Sequence, residues 1–311
     1  MTSLREPFHK SVLLEQVLES LAVASGRVYC DVTLGDGGHS EVILKRLNGT
    51  GMVIGIDRDA QAIERAQHRL APFGNRFKAV VGNFAEIKEL LRTNNIQAVD
   101  GFVCDLGVSM LQISEPSRGF MFSADGPLDM RMEGAGLSAA EIINDYSQNE
   151  IADIIWRYGE ERRARHIARA IVTARAGQPI KSTGELASIV RRAVGERYIV
   201  KTLARVFQSF RIYINDELGS LARFLSQAVE LLNCGGRLVT IEYHSLESRV
   251  IKDFIYRETH PCTCPKELPR CVCGRTPRIR IVHKLVKPAE GEIRANPSAR
   301  SARLRVVEKI A

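Results

Sequence analysis

Between residues 27 and 108, four short apolar stretches are separated by three amphipathic stretches of roughly ten residues, and this rhythm restricts the possible folds more than any other feature. "RVYCDVTL" (27–34), "GMVIGID" (51–57), "FKAVVGN" (77–83) and "VDGFVCDLGV" (99–108) read as strands. "HSEVILKRL" (39–47), "AQAIERAQHRL" (60–70) and "EIKELLRTN" (86–94) read as helices. Strands alternating with helices of that length form right-handed βαβ units on a parallel sheet. The preceding "SVLLEQVLESLA" (11–22) has helical spacing, with Ser11 placed as its cap. From about Gln112 to Lys201 the strands stop, and a Gly/Pro/Asp-rich loop leads into helical patterns. The alternation resumes with a helix at 216–232, a strand at 235–245 and another helix. Two final strands (278–287 and 302–310) are placed to form an antiparallel hairpin across a long loop. The expected fold is α/β, a mostly parallel sheet built from 1–111 and 202–311, with a helical domain inserted at 112–201.

The loop after the first strand, "DVTLGDGGHSEVIL" (31–44), selects among nucleotide-type ligands. A Walker loop ends in Gly-Lys-Ser/Thr, which this one lacks. A dinucleotide fingerprint needs a third glycine for close helix–strand packing, but after Gly35 and Gly37 that position holds Ser40. Adenosylmethionine carries no phosphate, yet its methionyl arm still needs close backbone approach, which Gly35, Gly37 and Gly38 permit. The later strand ends fit the same ligand. Asp57 lies 22 residues beyond Gly35, where an acidic side chain binds two ribose hydroxyls. Phe84 follows the third strand, positioned to cover an adenine. Asp105 ends the fourth, facing the methionyl ammonium or the incoming nucleophile. Taken singly, each has a plainer role: an aspartate can cap a helix and Phe84 can pack. Four strand ends along one edge make a constellation.

With these stretches in order, the chain resembles a known family. "VYCDVTLGDGGHS", "VIGIDRDAQAI", "DGFVCDLGVS", "RGFMFSADGPLDMRM", "YGEERRARHIARAIV", "VFQSFRIYINDEL", "GGRLVTIEYHSLESRVIK" and "NPSARSARLRV" look like the bacterial small-subunit ribosomal RNA cytosine-N4 methyltransferases of the H type. The resemblance runs from His9 to Lys309, and "GPLDMRM" and "YGEER" are its most specific parts. It implies a class I, Rossmann-like methyltransferase fold that uses S-adenosyl-L-methionine to methylate a decoding-centre cytidine. It also implies cofactor contacts at Gly37, Gly38, His39, Asp57, Phe84, Asp105 and Gln112. His39 is expected to open a helix beside the methionyl arm rather than act as a base. For methyl transfer to the exocyclic amine, Asp105 is the first candidate, with His244 and Ser245 lining the same pocket; capping of the next helix is the competing role for those two. The chain departs from the family in two places. Met110 and Leu111 stand where Ser-Pro is usual before Gln112, and "EYHSLESR" replaces Ser-Phe-His-Ser-Leu-Glu-Asp-Arg, adding a carboxylate at 242 and removing one at 248.

Charge suggests a polyanionic partner. The net charge is +8, yet residues 157–211 hold thirteen Lys/Arg against four Asp/Glu and residues 270–311 eleven against three, so the remainder is acidic. Arg165 and Arg169 share a helix face at i, i+4, and Arg303 and Arg305 alternate with Leu304 and Val306, so all four are expected to meet RNA phosphates. The competing account pairs them with carboxylates of the acidic body. Trp156 and Tyr158 are expected to pack. The expected partner is small-subunit ribosomal RNA in an assembled or late-assembling 30S particle. Other readings are methylation of DNA or tRNA, a nicotinamide-dependent oxidoreductase and a catalytically silent RNA-binding assembly factor. The N-terminus has no apolar signal-peptide segment and no run reaches the roughly 18 apolar residues of a membrane span, which predicts a cytoplasmic protein. Cys30, Cys104 and Cys234 lie in apolar runs and read as buried, reduced thiols. Cys262, Cys264, Cys271 and Cys273 are spaced C-x-C, six residues, C-x-C. Four thiolates can bind zinc, but this spacing is tighter than that of zinc knuckles, and the expectation is a loop of reduced thiols with no metal.

Overall fold

The βαβ rhythm becomes a seven-stranded sheet in the computed structural model, which describes residues 11–265 and 270–310; His9 and Lys266–Pro269 lie outside them. Helix α1 (Leu14–Leu21) precedes β1 (Val28–Asp31), α2 (Gly38–Arg46), β2 (Met52–Asp57), α3 (Ala60–Leu70), β3 (Phe77–Val81), α4 (Ile87–Thr93) and β4 (Val99–Asp105). The insertion carries α5 (Met110–Ser114), α6 (Ala139–Asp145), α7 (Gln148–Gly159), α8 (Ala164–Arg175), α9 (Thr183–Val194) and α10 (Ile199–Ile214). Then follow α11 (Glu217–Leu231), β5 (Leu232–Glu242), α12 (Ser245–Thr259), β6 (Ile279–Val286), α13 (Glu290–Ala295) and β7 (Arg303–Lys309).

The strand order is β3-β2-β1-β4-β5-β7-β6, parallel throughout except that β7 runs antiparallel to both its neighbours. The expected final hairpin is therefore present, with β7 wedged between β5 and β6. Parallel strands buried on both faces read as unbroken apolar runs, and β1, β2 and β4 do so. Their period-2 side chains divide between two cores: Cys30, Ile54, Phe102 and Cys104 face α4, α11 and α12, whereas Tyr29, Val53 and Val103 face α1 and α2. Cys234, expected to be buried, is exposed, because it lies near the start of β5 where side chains are still outside the sheet. Ser11 does not cap α1. The N-cap position is Leu13, at φ 55°, and its N–H donates to Glu292 Oε1 at 2.6 Å.

Two compact units result, 1–107 with 218–311 and 108–217. The expected return to the sheet domain at 202 falls inside α10, whose Leu203, Val206, Phe207 and Phe210 belong to the core of the insertion. One helical pattern across 149–175 is broken in two at Glu160, which adopts φ 48°. Trp156, expected to pack, is 57% exposed on α7, while Tyr158 does pack, its ring 5.9 Å from that of Tyr213.

Candidate active site

In an open α/β sheet the ligand crevice lies beyond the carboxyl ends of the strands, where the strand order reverses. Here that point is between β1 and β4, and the chain places Asp31, the glycine loop and Asp105 around it. Gly35 has φ +50°, and a Cβ there would meet nothing within 4 Å, so its outer face is open. Gly37 and Gly38 are required for a different reason. At Gly37 φ is +79° and a Cβ would press on Leu70; at Gly38 it would overlap the Ser11 hydroxyl. Arg65 and Arg69 of α3 clamp the loop, donating to Asp36 and Glu41. Ser40, where a dinucleotide loop needs glycine, is fully buried and donates its hydroxyl to Asp31 at 2.9 Å.

Asp57 closes the loop from β2. Its Oδ2 accepts the Gly35 N–H at 2.8 Å and its Oδ1 accepts the Asp59 N–H at 3.0 Å. Burial pushes its carboxyl up to about 6 despite these two donors. Asp105 is held from two sides. Tyr243 donates its hydroxyl to Oδ1 at 2.8 Å, and His39 Nε2 lies 3.4 Å from Oδ2. The Asp105 N–H in turn donates to Thr33 Oγ1 at 2.6 Å. Burial disfavours charge on His39, yet the hydrogen bond to Asp105 and the charges of Asp105 and Asp31 raise its pKa above the ordinary imidazole value. His39 Nδ1 is buried with no partner among the described residues. His39 thus lies in the first turn of α2 as expected, but its ring also meets a carboxylate.

Sequence reasoning missed Tyr243, Asp31 and Thr33. Tyr243 stands where the resembled family usually has phenylalanine, and that difference was the available signal. Desolvation and the adjacent Asp105 carboxylate hold its phenol far above the usual range, so it stays a neutral donor. Asp31 is wholly buried, and burial raises its pKa.

Phe84 follows β3 and stands edge-on to Phe224, with centroids 5.6 Å apart, which leaves it half-buried at the same sheet edge. His244 caps α12: its Nδ1 accepts the Glu247 N–H, and Glu247 answers by accepting the N–H groups of Tyr243 and His244. Ser245 opens that helix at an exposed position. Gln112 belongs to the insertion, where it completes a capping box with Ser109 at the start of α5.

The four arginines separate into two kinds. Arg165 and Arg169 are exposed on α8, opposite its buried Ala164, Ile167, Ala168 and Ile171. Arg303 is exposed as well. Arg305, expected to face solvent, is only 8% exposed: it donates to Glu242 at 3.0 and 3.2 Å and to the Lys284 carbonyl at 2.6 Å. The alternation argument fails here because β7 is an interior strand, with helices over the face that Arg305 shares with Val307. Much of the basic tail is likewise committed internally, Arg278 to Glu258 and Arg280 to Glu308. Lys284, Lys287, Arg294 and Arg300 are exposed with Arg303.

Comparison with known proteins agrees with this architecture. The chain is 48% identical over 309 residues to the ribosomal RNA small subunit methyltransferase H of Carboxydothermus hydrogenoformans, covering 97% of this chain and 98% of that one. It is 48% identical to the protein of the same name from Geobacter sulfurreducens, covering 97% and 99% of the two chains, and 46% identical to that of Acetivibrio thermocellus, again covering 97% and 99%. Residues 6–310 match the pattern of the MraW methylase family, so the glycine loop, the carboxylates around it and the helical insertion all fall within the matched span, and the chain belongs to that family.

Proposed function

We propose that this protein uses S-adenosyl-L-methionine to methylate the exocyclic N4 of a cytidine in the decoding centre of small-subunit ribosomal RNA. The observation that carries the reading is the pair of carboxylates at one sheet edge: Asp57 closed over the Gly35 turn, and Asp105 held by Tyr243 and His39. Membership of a methylase family whose named relatives act on small-subunit ribosomal RNA supports the substrate class. The residues fit the cofactor. Gly35 leaves an open backbone face, Asp57 retains lone pairs for ribose hydroxyls beyond its two backbone donors, and Phe84 offers an aromatic surface at the third strand end. Gly37, Gly38 and His39 shape the turn for the methionyl arm.

When bound, the cofactor would supply a methyl group on sulfonium, its S–C bond breaking as the N4–C bond forms and the surplus N4 proton passing to water. The protein must turn a poor nucleophile into an adequate one, because the cytosine N4 lone pair is delocalised into the ring. Asp105 accepts an N–H of the amine, which favours a pyramidal nitrogen and offsets the positive charge that develops on it. Tyr243 and His39 fix the orientation of that carboxylate. His244 and Ser245 border the pocket at the start of α12. The target base leaves its stack to reach Asp105 at a cost of roughly a few kcal/mol, which phosphate contacts from Arg165, Arg169 and Arg303 offset. The two-part sheet unit is thus the catalytic unit and the helical insertion the RNA-recognition unit. The enzyme works in the cytoplasm on an assembled or late-assembling 30S particle. Among the described residues no helix is long and apolar enough to cross a membrane.

Mass spectrometry of small-subunit ribosomal RNA from cells with and without the gene tests substrate and position together. A cytidine lacking one N4-methyl in the deleted strain, restored by the wild-type gene and not by Asp105→Ala, is the expected result. Identical modification in both strains overturns the proposal.

A further inference from the structure

The segment between α12 and β6 takes no part in the reaction described above, yet it brings four cysteines together. The Sγ atoms of Cys262, Cys264, Cys271 and Cys273 all lie within 4.8 Å of one another. Cys271 Sγ is 3.5 Å from that of Cys262, 3.9 Å from that of Cys264 and 3.5 Å from that of Cys273. These are not disulfides, whose sulfurs are about 2.05 Å apart. They are the spacings of a coordination sphere: with Zn–S bonds of about 2.3 Å, a tetrahedron has S···S edges of about 3.8 Å.

Among the described residues of the segment nothing else explains the convergence. None of the described residues among 261–265 and 270–275 is buried, and Val272 is 77% exposed, so no apolar cluster among the described residues draws the two halves together. Thiols are weak hydrogen-bond partners and provide little substitute. The backbone does prepare for thiolate: the Val272 N–H donates to Cys264 Sγ at 3.4 Å, the kind of outer contact that orients and stabilises a metal-bound sulfur. The C-x-C spacing, which argued against zinc in the sequence, suits this backbone. The described residues 261–265 and 270–275 carry no helix, and in extended chain residues i and i+2 point the same way, so each C-x-C pair can supply two ligands to one centre.

We propose that Cys262, Cys264, Cys271 and Cys273 bind one zinc ion in a tetrahedral four-thiolate site. Four protein ligands leave no open position for water or substrate, so the ion is structural and staples a segment whose described residues form no core of their own. Loading releases the thiol protons to solvent, and with one divalent ion against four thiolates the site carries a net charge of about −2, flanked in sequence by Arg270 and Arg275.

The test is elemental analysis of the full-length protein, purified without chelator from zinc-supplemented cells, with cobalt(II) substitution as a second measurement. The expected result is about one zinc per chain in the wild type and less than about a tenth of that in Cys264→Ser and Cys271→Ser. Cobalt-loaded wild type should show thiolate-to-metal charge transfer and the visible bands of a tetrahedral sulfur site, both displaced by zinc. Adenosylmethionine titration and far-ultraviolet circular dichroism of the variants establish that the rest of the chain is folded. If a variant does not fold, the wild-type zinc content and cobalt spectrum decide alone. Metal-free wild type with no cobalt spectrum overturns the proposal, as does an intact mass showing the four cysteines joined as disulfides.

Discussion

Glu242→Ser tests the burial of Arg305 directly. Glu242 is 0% exposed and receives both the Arg305 guanidinium and the Ser248 hydroxyl, so its removal leaves a buried cation with only the Lys284 carbonyl among the described residues. Removing one partner of a buried pair costs roughly 3–5 kcal/mol, most of it the penalty of the charge left behind. In a cooperative unit of about 200 residues each kcal/mol lowers Tm by about 2–4 °C, so the melting temperature should fall by roughly 6–20 °C. The resembled family usually carries the opposite arrangement, serine at 242 and aspartate at 248. Because the Ser248 hydroxyl already touches the carboxylate that holds Arg305, Glu242→Ser/Ser248→Asp should restore that carboxylate from α12 and recover more than half of the loss. Scanning calorimetry and urea unfolding of wild type, single and double variants measure this. If Glu242→Ser melts with the wild type, or the double variant is no better than the single, the pair does not hold β5, β7 and α12 together as argued. A filter-binding series on Arg305→Leu completes the test: stability should fall while RNA affinity per folded molecule is unchanged, and the reverse pattern would return Arg305 to the RNA surface.

Three further outcomes are expected. The Asp57 carboxyl, raised to about 6, is ionised above that pH and protonated below it, so adenosylmethionine affinity should hold above pH 7 and fall by up to about tenfold per unit below pH 6; calorimetric titration of wild type and Asp57→Asn checks this, with the variant expected to be weaker and flat with pH. Tyr243→Phe removes the hydroxyl from Asp105 Oδ1 and should lower kcat by at least about tenfold, on the scale of a hydrogen bond to a charged group, with little change in cofactor affinity; an unchanged kcat refutes the positioning role. Charge reversal at Arg165 and Arg169 should weaken RNA binding and flatten its salt dependence by roughly one unit of log slope per lost phosphate contact while leaving the melting temperature alone, and Arg303→Glu should act the same way; a binding series at several salt concentrations with parallel melts separates docking from stability.

Local rules settled much of this protein in advance. Apolar runs of strand length alternating with amphipathic helices dictate βαβ order and a parallel sheet, and they do so because hydrogen-bonding and burial periods are properties of the chain itself. The same rules located Asp57 and Asp105, since each is the residue at which a strand ends, and Gly35 in the turn that follows β1. What a side chain meets across the sheet is a different matter. Arg305 looks solvent-facing by alternation, and only the insertion of β7 between β5 and β6 turns both its faces inward. Tyr243 is 138 residues from Asp105, and His39 is 66 residues from it, so no spacing rule joins them. Gly37 and Gly38 read as ligand glycines in sequence, and only the structure shows that their absent Cβ atoms also make room for Leu70 and Ser11. The four cysteines are equally visible as a list of positions, and it took the path of the backbone between α12 and β6 to bring their sulfurs to within 4.8 Å of one another. Sequence determines what each segment can be, because torsional preference and burial period act over a few residues. Tertiary structure alone decides which charges share a buried space and which sulfurs share a centre, because those contacts depend on the closure of the whole sheet.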